Sequence, residues 1–249
     1  MVKKAWYIGC TSDEVANRVI LIGDPARVPR LSKYLDDAVL LPVKRGLATT
    51  TGTYKGVRIT MAAFGMGAPI ASIVLHELSE LGSNIFLRIG TTMCLPPAEL
   101  GDLVIAEGAL RHEGTSYAYA PKDVAAIADN ELVAAVKRGA NDAGYASRVG
   151  RFASYDGFYR DMFALDEVAV ARVQENFGYL SKQGVIAIDM ETSALLTVGK
   201  VLGCKVGSLC VASVNFQTQQ KLESDKLIER EKQLMHTALN ALFSMPDPR

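Results

Sequence analysis

The sequence predicts a three-layer α/β fold, in which helices pack on a central sheet. Short apolar runs bounded by Gly, Asp or Pro recur along the chain, and stretches with 3.6-residue periodicity lie between them. The chain has 249 residues, of which 49% are hydrophobic, and this composition can bury a substantial core. No Ser/Gly/Pro-rich linker and no repeat interrupts the pattern, so residues 1–249 are predicted to form a single domain.

The predicted elements follow from the two kinds of pattern. Continuous apolar runs of four to eight residues are typical of buried strands, and they occur at 19–22, 59–64, 85–89, 103–106, 185–188 and 206–212. Amphipathic periodicity predicts helices over 70–81, 131–143, 191–202 and 222–243. Open α/β sheets bind ligands at the carboxyl ends of their strands, so the residues that follow each run are the candidates for function.

Composition argues against several classes of partner and site. Lys plus Arg and Asp plus Glu both total 27, so no global charge attracts nucleic acid or an acidic membrane. No apolar segment is long enough to cross a membrane or to act as a signal sequence, which favours a cytoplasmic location. The four cysteines and three histidines lack the spacings of metal sites, and the cysteines indicate structural thiols in a reducing compartment.

The segment after the first apolar run combines a glycine, a proline and an arginine where a strand passes into a helix. Gly23 lets the backbone approach a ligand closely, and Pro25 suits the first turn of a helix. The free N–H groups of such a turn and the guanidinium group of Arg27 match an oxyanion such as phosphate. An ordinary strand-to-helix turn with a surface arginine explains the same residues equally well.

Arg88 ends a run that is otherwise apolar enough to form a central strand. A buried, unpaired charge costs several kcal/mol, and no acidic residue stands near Arg88 in the sequence. A bound anion would supply the missing partner, and the hydroxyl groups of Thr91 and Thr92 would add donors. The alternative is that Arg88 pairs with a carboxylate distant in the sequence.

A glycine-rich segment, residues 65–72, also links a predicted strand to a predicted helix. Ile70 stands where the dinucleotide-binding motif has its third glycine, so we do not predict a dinucleotide cofactor. Gly65 and Gly67 still permit the backbone to approach a sugar or a phosphate closely, although a tight turn accounts for them as well.

Two carboxylates flank a methionine where the run 185–188 passes into a helix. Asp189 and Glu191 offer acceptors for the vicinal hydroxyl groups of a sugar, and the thioether of Met190 packs well on a ring face. The alternative interpretation is structural, with Asp189 capping the helix and Glu191 lying in its first turn, where acidic residues are favoured.

Taken together and in this order, these junctions resemble the nucleoside phosphorylase family, which includes uridine phosphorylases and hexameric purine nucleoside phosphorylases. The most specific segments are 86–92, 190–196 and 214–220, and they look most like uridine phosphorylases. The resemblance implies a phosphorylase/hydrolase-like αβα fold with a central mixed sheet. It also implies cleavage of a nucleoside by inorganic phosphate, the co-substrate, to a free base and (deoxy)ribose 1-phosphate, with no cofactor and no metal.

The resemblance assigns roles to particular residues, with Arg88 and Glu191 as the catalytic pair. The residues implied to bind phosphate are Gly23, Arg27, Arg45, Arg88 and Thr91. Those implied to bind ribose are Tyr7, Thr91, Met190 and Glu191, and base contacts are expected from Phe158, Met162, Asp189, Asn215 and Gln217. Tyr7 and Arg45 would come from a neighbouring subunit, because family members are typically hexamers built from dimers.

The sequence departs from the family where the base is recognised. Met162 and Ala164 stand where uridine phosphorylases present a glutamine and an arginine to the pyrimidine. The segment in which purine phosphorylases carry an aspartic acid offers only the neutral amides of Asn215 and Gln217. The base therefore stays open, with a purine nucleoside phosphorylase as the first alternative. A nucleoside hydrolase and a non-catalytic nucleoside-binding protein are further alternatives.

Overall fold

The computed structural model describes residues 3–246. Residues 1–2 and 247–249, which entered the predictions about the two ends of the chain, lie outside the described part. The strands are β1 (Arg18–Ile22), β2 (Asp36–Leu40), β3 (Thr49–Tyr54), β4 (Val57–Ala63), β5 (Ile85–Cys94), β6 (Leu103–His112), β7 (Ala126–Ile127), β8 (Ser147–Tyr155), β9 (Val185–Asp189) and β10 (Lys205–Asn215). The helices are α1 (Arg27–Leu31), α2 (Ala68–Glu80), α3 (Asn130–Asp142), α4 (Glu167–Lys182), α5 (Thr192–Val201) and α6 (Ser224–Ser244), and Phe158–Met162 forms a π-helical turn.

The strands form one mixed sheet, as the sequence predicts. Its order is β10-β6-β8-β9-β5-β1-β4-β3-β2, with β7 paired to β6. Strand β10 also pairs with β5, so that five strands, β5, β10, β6, β8 and β9, close into a ring. The sequence patterns predicted a central sheet but not this closure.

Helices cover the sheet on both faces, which confirms the three-layer architecture. Alternate residues of β1 enter different cores: Val19 and Leu21 pack with α2 and α5, whereas Ile20 and Ile22 pack with α1, α3 and α6. This alternation is the expected consequence of a strand with both faces buried. None of the helices described here is both long and apolar enough to cross a membrane.

The strand ends that carry the unusual residues lie together because β1, β5 and β10 run parallel. Ile22 at the end of β1 is level with Ile89 of β5, and Leu209 of β10 pairs with the same residue. Strand β9 meets the end of β5 in antiparallel register, with Ile188 opposite Met93. These pairings place the carboxyl ends of β1, β5, β9 and β10 at the same end of the sheet.

Strand β10 contains a bulge at Ser213. Ala212 pairs with Thr92 of β5 and Val214 pairs with Met93, so Ser213 has no opposite residue in that strand. Bulges of this kind recur next to functional sites, where they redirect side chains. Here the bulge lies beside the ends of β5 and β9.

Candidate active site

A cavity of about 690 Å³ lies at the carboxyl ends of β1, β5, β9 and β10. Its wall also includes the loop after β4 and the π-helical turn. Of the residues predicted from the sequence, those on this wall are Gly23, Arg27, Arg88, Thr91, Phe158, Met162, Asp189, Met190 and Glu191. The structure therefore brings together most of the predicted phosphate, ribose and base groups within one chain.

Arg88 is buried and paired with carboxylates distant in the sequence, which is the alternative that the sequence left open. Its Nη1 lies 3.2 Å from Oδ2 of Asp189, and its Nη2 donates to Oε2 of Glu191 at 2.6 Å. Nη1 also contacts the thiol of Cys210 at 2.6 Å. Burial lowers the pKa of Arg88, but Cys210, Asp189 and Glu191 outweigh it, so the net pKa is raised and the group stays charged.

The carboxylate of Asp189 is committed to the protein. Oδ1 accepts from the hydroxyl of Ser154 at 2.6 Å and from the backbone N–H of Thr192 at 3.2 Å, and Oδ2 accepts from the Thr192 hydroxyl. The side chain thus caps the start of α5 while it neutralises Arg88. With these acceptors occupied, Asp189 holds Arg88 in place, and its contact with the base stays a prediction.

Glu191 ties two parts of the cavity wall together. Its Oε1 accepts from the backbone N–H of Gly67 at 2.7 Å, and its Oε2 accepts from Arg88. Gly65 and Gly67 have φ values of 83° and 94°, which glycine adopts readily, so the loop can approach the carboxylate. Burial raises the pKa of Glu191, Arg88 lowers it and Asp189 raises it, with a net increase.

The turn after β1 lies on the cavity wall but is less open than the sequence predicts. The N–H of Ala26, expected to be free, donates to Oδ1 of Asp24 at 2.9 Å. Arg27 forms ion pairs with Glu231 at 2.8 Å and with Asp24 at 3.8 Å. A Cβ on Gly23 would lie 3.3 Å from the carbonyl oxygen of Gly65, so glycine permits the close approach of these two loops.

The two threonines after Arg88 have different surroundings. Thr91 is half-buried and lines the cavity. Thr92 is buried, and its hydroxyl donates to the carbonyl of Ile188 at 2.6 Å, which joins β5 to β9. Both threonines line the cavity, and the Thr92 hydroxyl is committed to the wall. The contact of Thr91 with phosphate and ribose stays a prediction.

Part of the cavity wall is aromatic and rich in thioethers. Phe158 stacks on Phe163 with ring centroids 5.9 Å apart, and Tyr159 lies perpendicular to Phe158 at 5.0 Å. Met162 is buried against them and lines the cavity. Tyr159 was not among the residues predicted from the sequence, yet it lines the cavity and is 61% exposed. The only signal for it in the sequence was its position beside Phe158.

Asn215 and Gln217 do not belong to the lining of this cavity among the described residues. The Asn215 side chain accepts from the N–H of Thr218 at 2.9 Å, and Gln217 is exposed. Their role as base contacts stays a prediction, and the Asn215 side chain helps to shape the loop after β10. Gln219 instead joins that loop to the π-helical turn, because its Nε2 donates to Phe216 O at 2.6 Å and to Met162 O at 3.3 Å.

Tyr7 and Arg45 lie together, and neither lines the cavity among the described residues. The Arg45 guanidinium lies over the Tyr7 ring, 4.6 Å from its centroid. Arg45 and Gly46, with φ of 53° and 78°, form the tip of a two-residue hairpin closed by Lys44 and Leu47. Their predicted contribution to a neighbouring subunit stays a prediction.

A cavity at the carboxyl ends of β1, β5, β9 and β10, with a buried arginine set between two carboxylates, is the kind of site found in α/β enzymes. The chain belongs to the phosphorylase superfamily, whose family model matches residues 17–243. This confirms the resemblance expected from the sequence.

Individual relatives cover most of the chain. A uridine phosphorylase of Thermococcus kodakarensis is 34% identical over 218 residues, 86% of this chain and 79% of that protein. One from Haemophilus influenzae is 33% identical over 238 residues, 92% of this chain and 94% of that protein. A DeoD-type purine nucleoside phosphorylase of Geobacillus kaustophilus is 29% identical over 239 residues, 94% of this chain and 96% of that protein.

Proposed function

We propose that this chain cleaves nucleosides with inorganic phosphate to a free base and (deoxy)ribose 1-phosphate. Relatives that cover most of the chain are named uridine phosphorylases. The observation that carries the proposal is the shared cavity, in which Arg27 and Arg88 lie beside Met190 and Glu191. Guanidinium groups suit an oxyanion, and a carboxylate beside a thioether suits a sugar.

The arrangement of charge fits the reaction. Cleavage of an N-glycosidic bond builds positive charge on the ribose C1′ and negative charge on the departing base, as in other glycosyl transfers. Phosphate held by Gly23, Arg27, Arg88 and Thr91 stabilises that cation and then attacks C1′. The buried Nε–H of Arg88 has no hydrogen-bond partner among residues 3–246, and an oxyanion would satisfy it.

Glu191 and Met190 are proposed to hold the sugar. Each oxygen of Glu191 accepts one hydrogen bond from the protein and keeps acceptor capacity for a ribose hydroxyl. Phe158 and Met162 would cover the base. No cofactor other than the phosphate co-substrate is proposed.

We propose a cytoplasmic homo-oligomer built from dimers, with a hexamer as the expected assembly. Tyr7 and Arg45 would complete the cavity of a neighbouring protomer. In support, Trp6, next to Tyr7 in the sequence, is 86% exposed, and Val43, two residues before Arg45, is 55% exposed. Large exposed apolar residues are a common feature of protein–protein contacts.

Uridine is the favoured substrate, because relatives 34% and 33% identical to this chain are named uridine phosphorylases. A purine nucleoside is the second candidate, since a purine nucleoside phosphorylase is 29% identical over nearly the whole chain. A nucleoside hydrolase or a non-catalytic binding protein would not need Arg27 and Arg88 on the cavity wall as phosphate ligands.

The test is a panel of uridine, thymidine, inosine and adenosine incubated with and without phosphate. Base release that requires phosphate and yields pentose 1-phosphate supports the proposal. Equal release without phosphate, with free pentose as the product, would identify a hydrolase. Tight nucleoside binding without any turnover would favour the binding protein.

A further inference from the structure

A single carboxylate of the C-terminal helix reaches both arginines of the short helix α1. Oε1 of Glu231 lies 2.8 Å from Nη2 of Arg27, and Oε2 accepts from Nη2 of Arg30 at 2.7 Å. The Glu231 side chain is only 13% exposed, whereas that of Arg30 is 51% exposed. Glu231 is thus held between two guanidinium groups, of which only that of Arg27 faces the cavity.

Arg27 has little else to fix it. Helix α1 is five residues long, and within residues 3–246 the only other polar contact of the guanidinium is Asp24 at 3.8 Å. A free arginine side chain samples many rotamers, and ordering it on binding a ligand costs conformational entropy. A contact that orders the side chain beforehand removes that cost from the binding step.

We infer that Glu231 is a positioning residue for phosphate, which holds the guanidinium of Arg27 at the cavity wall. The inference rests on the proposed function, in which Arg27 contacts the phosphate. One carboxylate shared by two arginines leaves net positive charge on these three groups. Asp24 is the second carboxylate near Arg27, but it lies farther away, at 3.8 Å, and its side chain is 53% exposed, so solvent screens its charge.

A competing role would have the opposite sign. If Glu231 only competed with phosphate for Arg27, removing its charge would release the guanidinium and tighten phosphate binding. If it positions Arg27, the same change weakens phosphate binding. The Glu231→Gln variant separates the two because glutamine keeps the size of the side chain and removes its charge.

The experiment measures steady-state kinetics of the full chain and its Glu231→Gln variant, with inorganic phosphate and nucleoside varied separately. The KM for phosphate should rise about threefold or more, as expected for a half-buried ion pair. The KM for the nucleoside and kcat at saturating phosphate should stay within about twofold of the parent values.

Glu229→Gln is the matched control. It removes the same charge from the same helix, and Glu229 bonds only to Gln233 among the described side chains. Its KM for phosphate should stay at the parent value. An unchanged or lower KM for phosphate in Glu231→Gln, or an equal rise in both variants, overturns the inference.

Calorimetric titration with inorganic phosphate alone keeps the test independent of turnover. Weaker phosphate binding by Glu231→Gln than by the parent supports the inference even if no nucleoside is cleaved, in which case the proposed function has failed by itself. Normal phosphate-dependent turnover with unaltered phosphate affinity in the variant overturns the inference alone. Thermal unfolding of both variants near the parent Tm verifies that the fold is intact.

Discussion

Arg88 is a buried cation that pairs with two carboxylates, those of Asp189 and Glu191. A buried ion pair of this kind adds little net stability relative to an apolar core, but the removal of one partner leaves the other charge buried. Asp189 and Glu191 would both be left in that state without Arg88. The same residue therefore bears on the fold and on the proposed chemistry.

Replacing Arg88 with alanine should abolish phosphate-dependent turnover, with a loss of about 100-fold or more in kcat/KM. The free energy of unfolding should fall by about 3–5 kcal/mol, because two buried carboxylates lose their cation. Turnover assays and urea unfolding measure the two effects. Arg138→Ala, at an exposed position, serves as the control. Near-normal turnover in Arg88→Ala would remove Arg88 from the phosphate site.

Glu191 gives the proposed reaction an acid limit. The groups that face it are Arg88 on β5, Asp189 at the end of β9 and Cys210 on β10, whose pKa is raised to about 11 by burial, so the thiol is neutral. Burial, opposed by Arg88 and assisted by Asp189, raises the pKa of Glu191 above its ordinary 4.5. If the ionised carboxylate accepts the ribose hydroxyls, kcat/KM should fall as the pH drops through that raised value.

Asp189→Asn should shift this acid limit to lower pH, because it removes a negative charge that disfavours ionisation of Glu191. The pH profile of kcat/KM measures the shift, with Asp129→Asn as a control, since Asp129 caps α3 away from the cavity. An acid limit that moves upward or stays in place would contradict the assignment.

The raised pKa of Glu191 also affects stability. The contribution of protonated Glu191 to the free energy of unfolding is complete below pH 4.5 and is lost as the pH rises through the folded-state pKa.

For single residues, the sequence predicted which side chains lie together at the site, but not which of them form ion pairs and hydrogen bonds with one another. Arg88, Met190 and Glu191 follow apolar runs, and the rule that ligands bind at strand ends was enough to select them. The bond from Arg88 to Glu191 joins residues 103 positions apart and depends on how β5 and β9 align. No local pattern encodes that alignment, so the carboxylate partners of Arg88 could not be derived.

Among the elements, those with continuous burial were predictable and those facing solvent were not. All residues of β1 and β9 are buried, and both appear as apolar runs. Strand β2 is exposed throughout, and its short apolar run, Ala38 to Leu40, was not among the predicted strands. Helix α4 was missed because Val168, Val170 and Tyr179 face outward and obscure its periodicity.

Helix α5 packs so closely on β10 that one position tolerates only glycine. A Cβ on Gly199 would clash with Cγ2 of Val206 and lie 3.1 Å from its Cβ. Gly199→Ala should therefore lower the free energy of unfolding by about 1–3 kcal/mol.

Gly178→Ala in α4 provides the contrast, because nothing lies within 4 Å of the added atom. Alanine should raise the free energy of unfolding there by about 0.5–1 kcal/mol through helix propensity alone. Urea denaturation of both variants gives the two values. Equal effects at the two positions would show that the contact between α5 and β10 is looser than described.

For the whole molecule, the proposed sharing of Arg45 between protomers can be tested by mixing two inactive variants. Glu191→Gln removes a group of the protomer's own cavity, whereas Arg45→Ala would remove a group from its neighbour's. Half of randomly mixed dimers combine the two variants, and each of these has one intact site. After co-expression, turnover should recover to about one quarter of the parent value. No recovery would place Arg45 in the site of its own chain.

The bulge at Ser213 changes which face of the sheet the later side chains of β10 pack against. Before it, Leu209 and Val211 pack with α3 and α6, and Cys210 and Ala212 pack on the other face. The unpaired residue resets this alternation for Val214 and Asn215, just where the strand leaves the sheet. Deleting Ser213 would leave Val214 opposite Met93 and on the same face, whereas a strand that kept Ser213 but lost the bulge would turn Val214 and Asn215 to the opposite faces and lose the wall they form beside Met93.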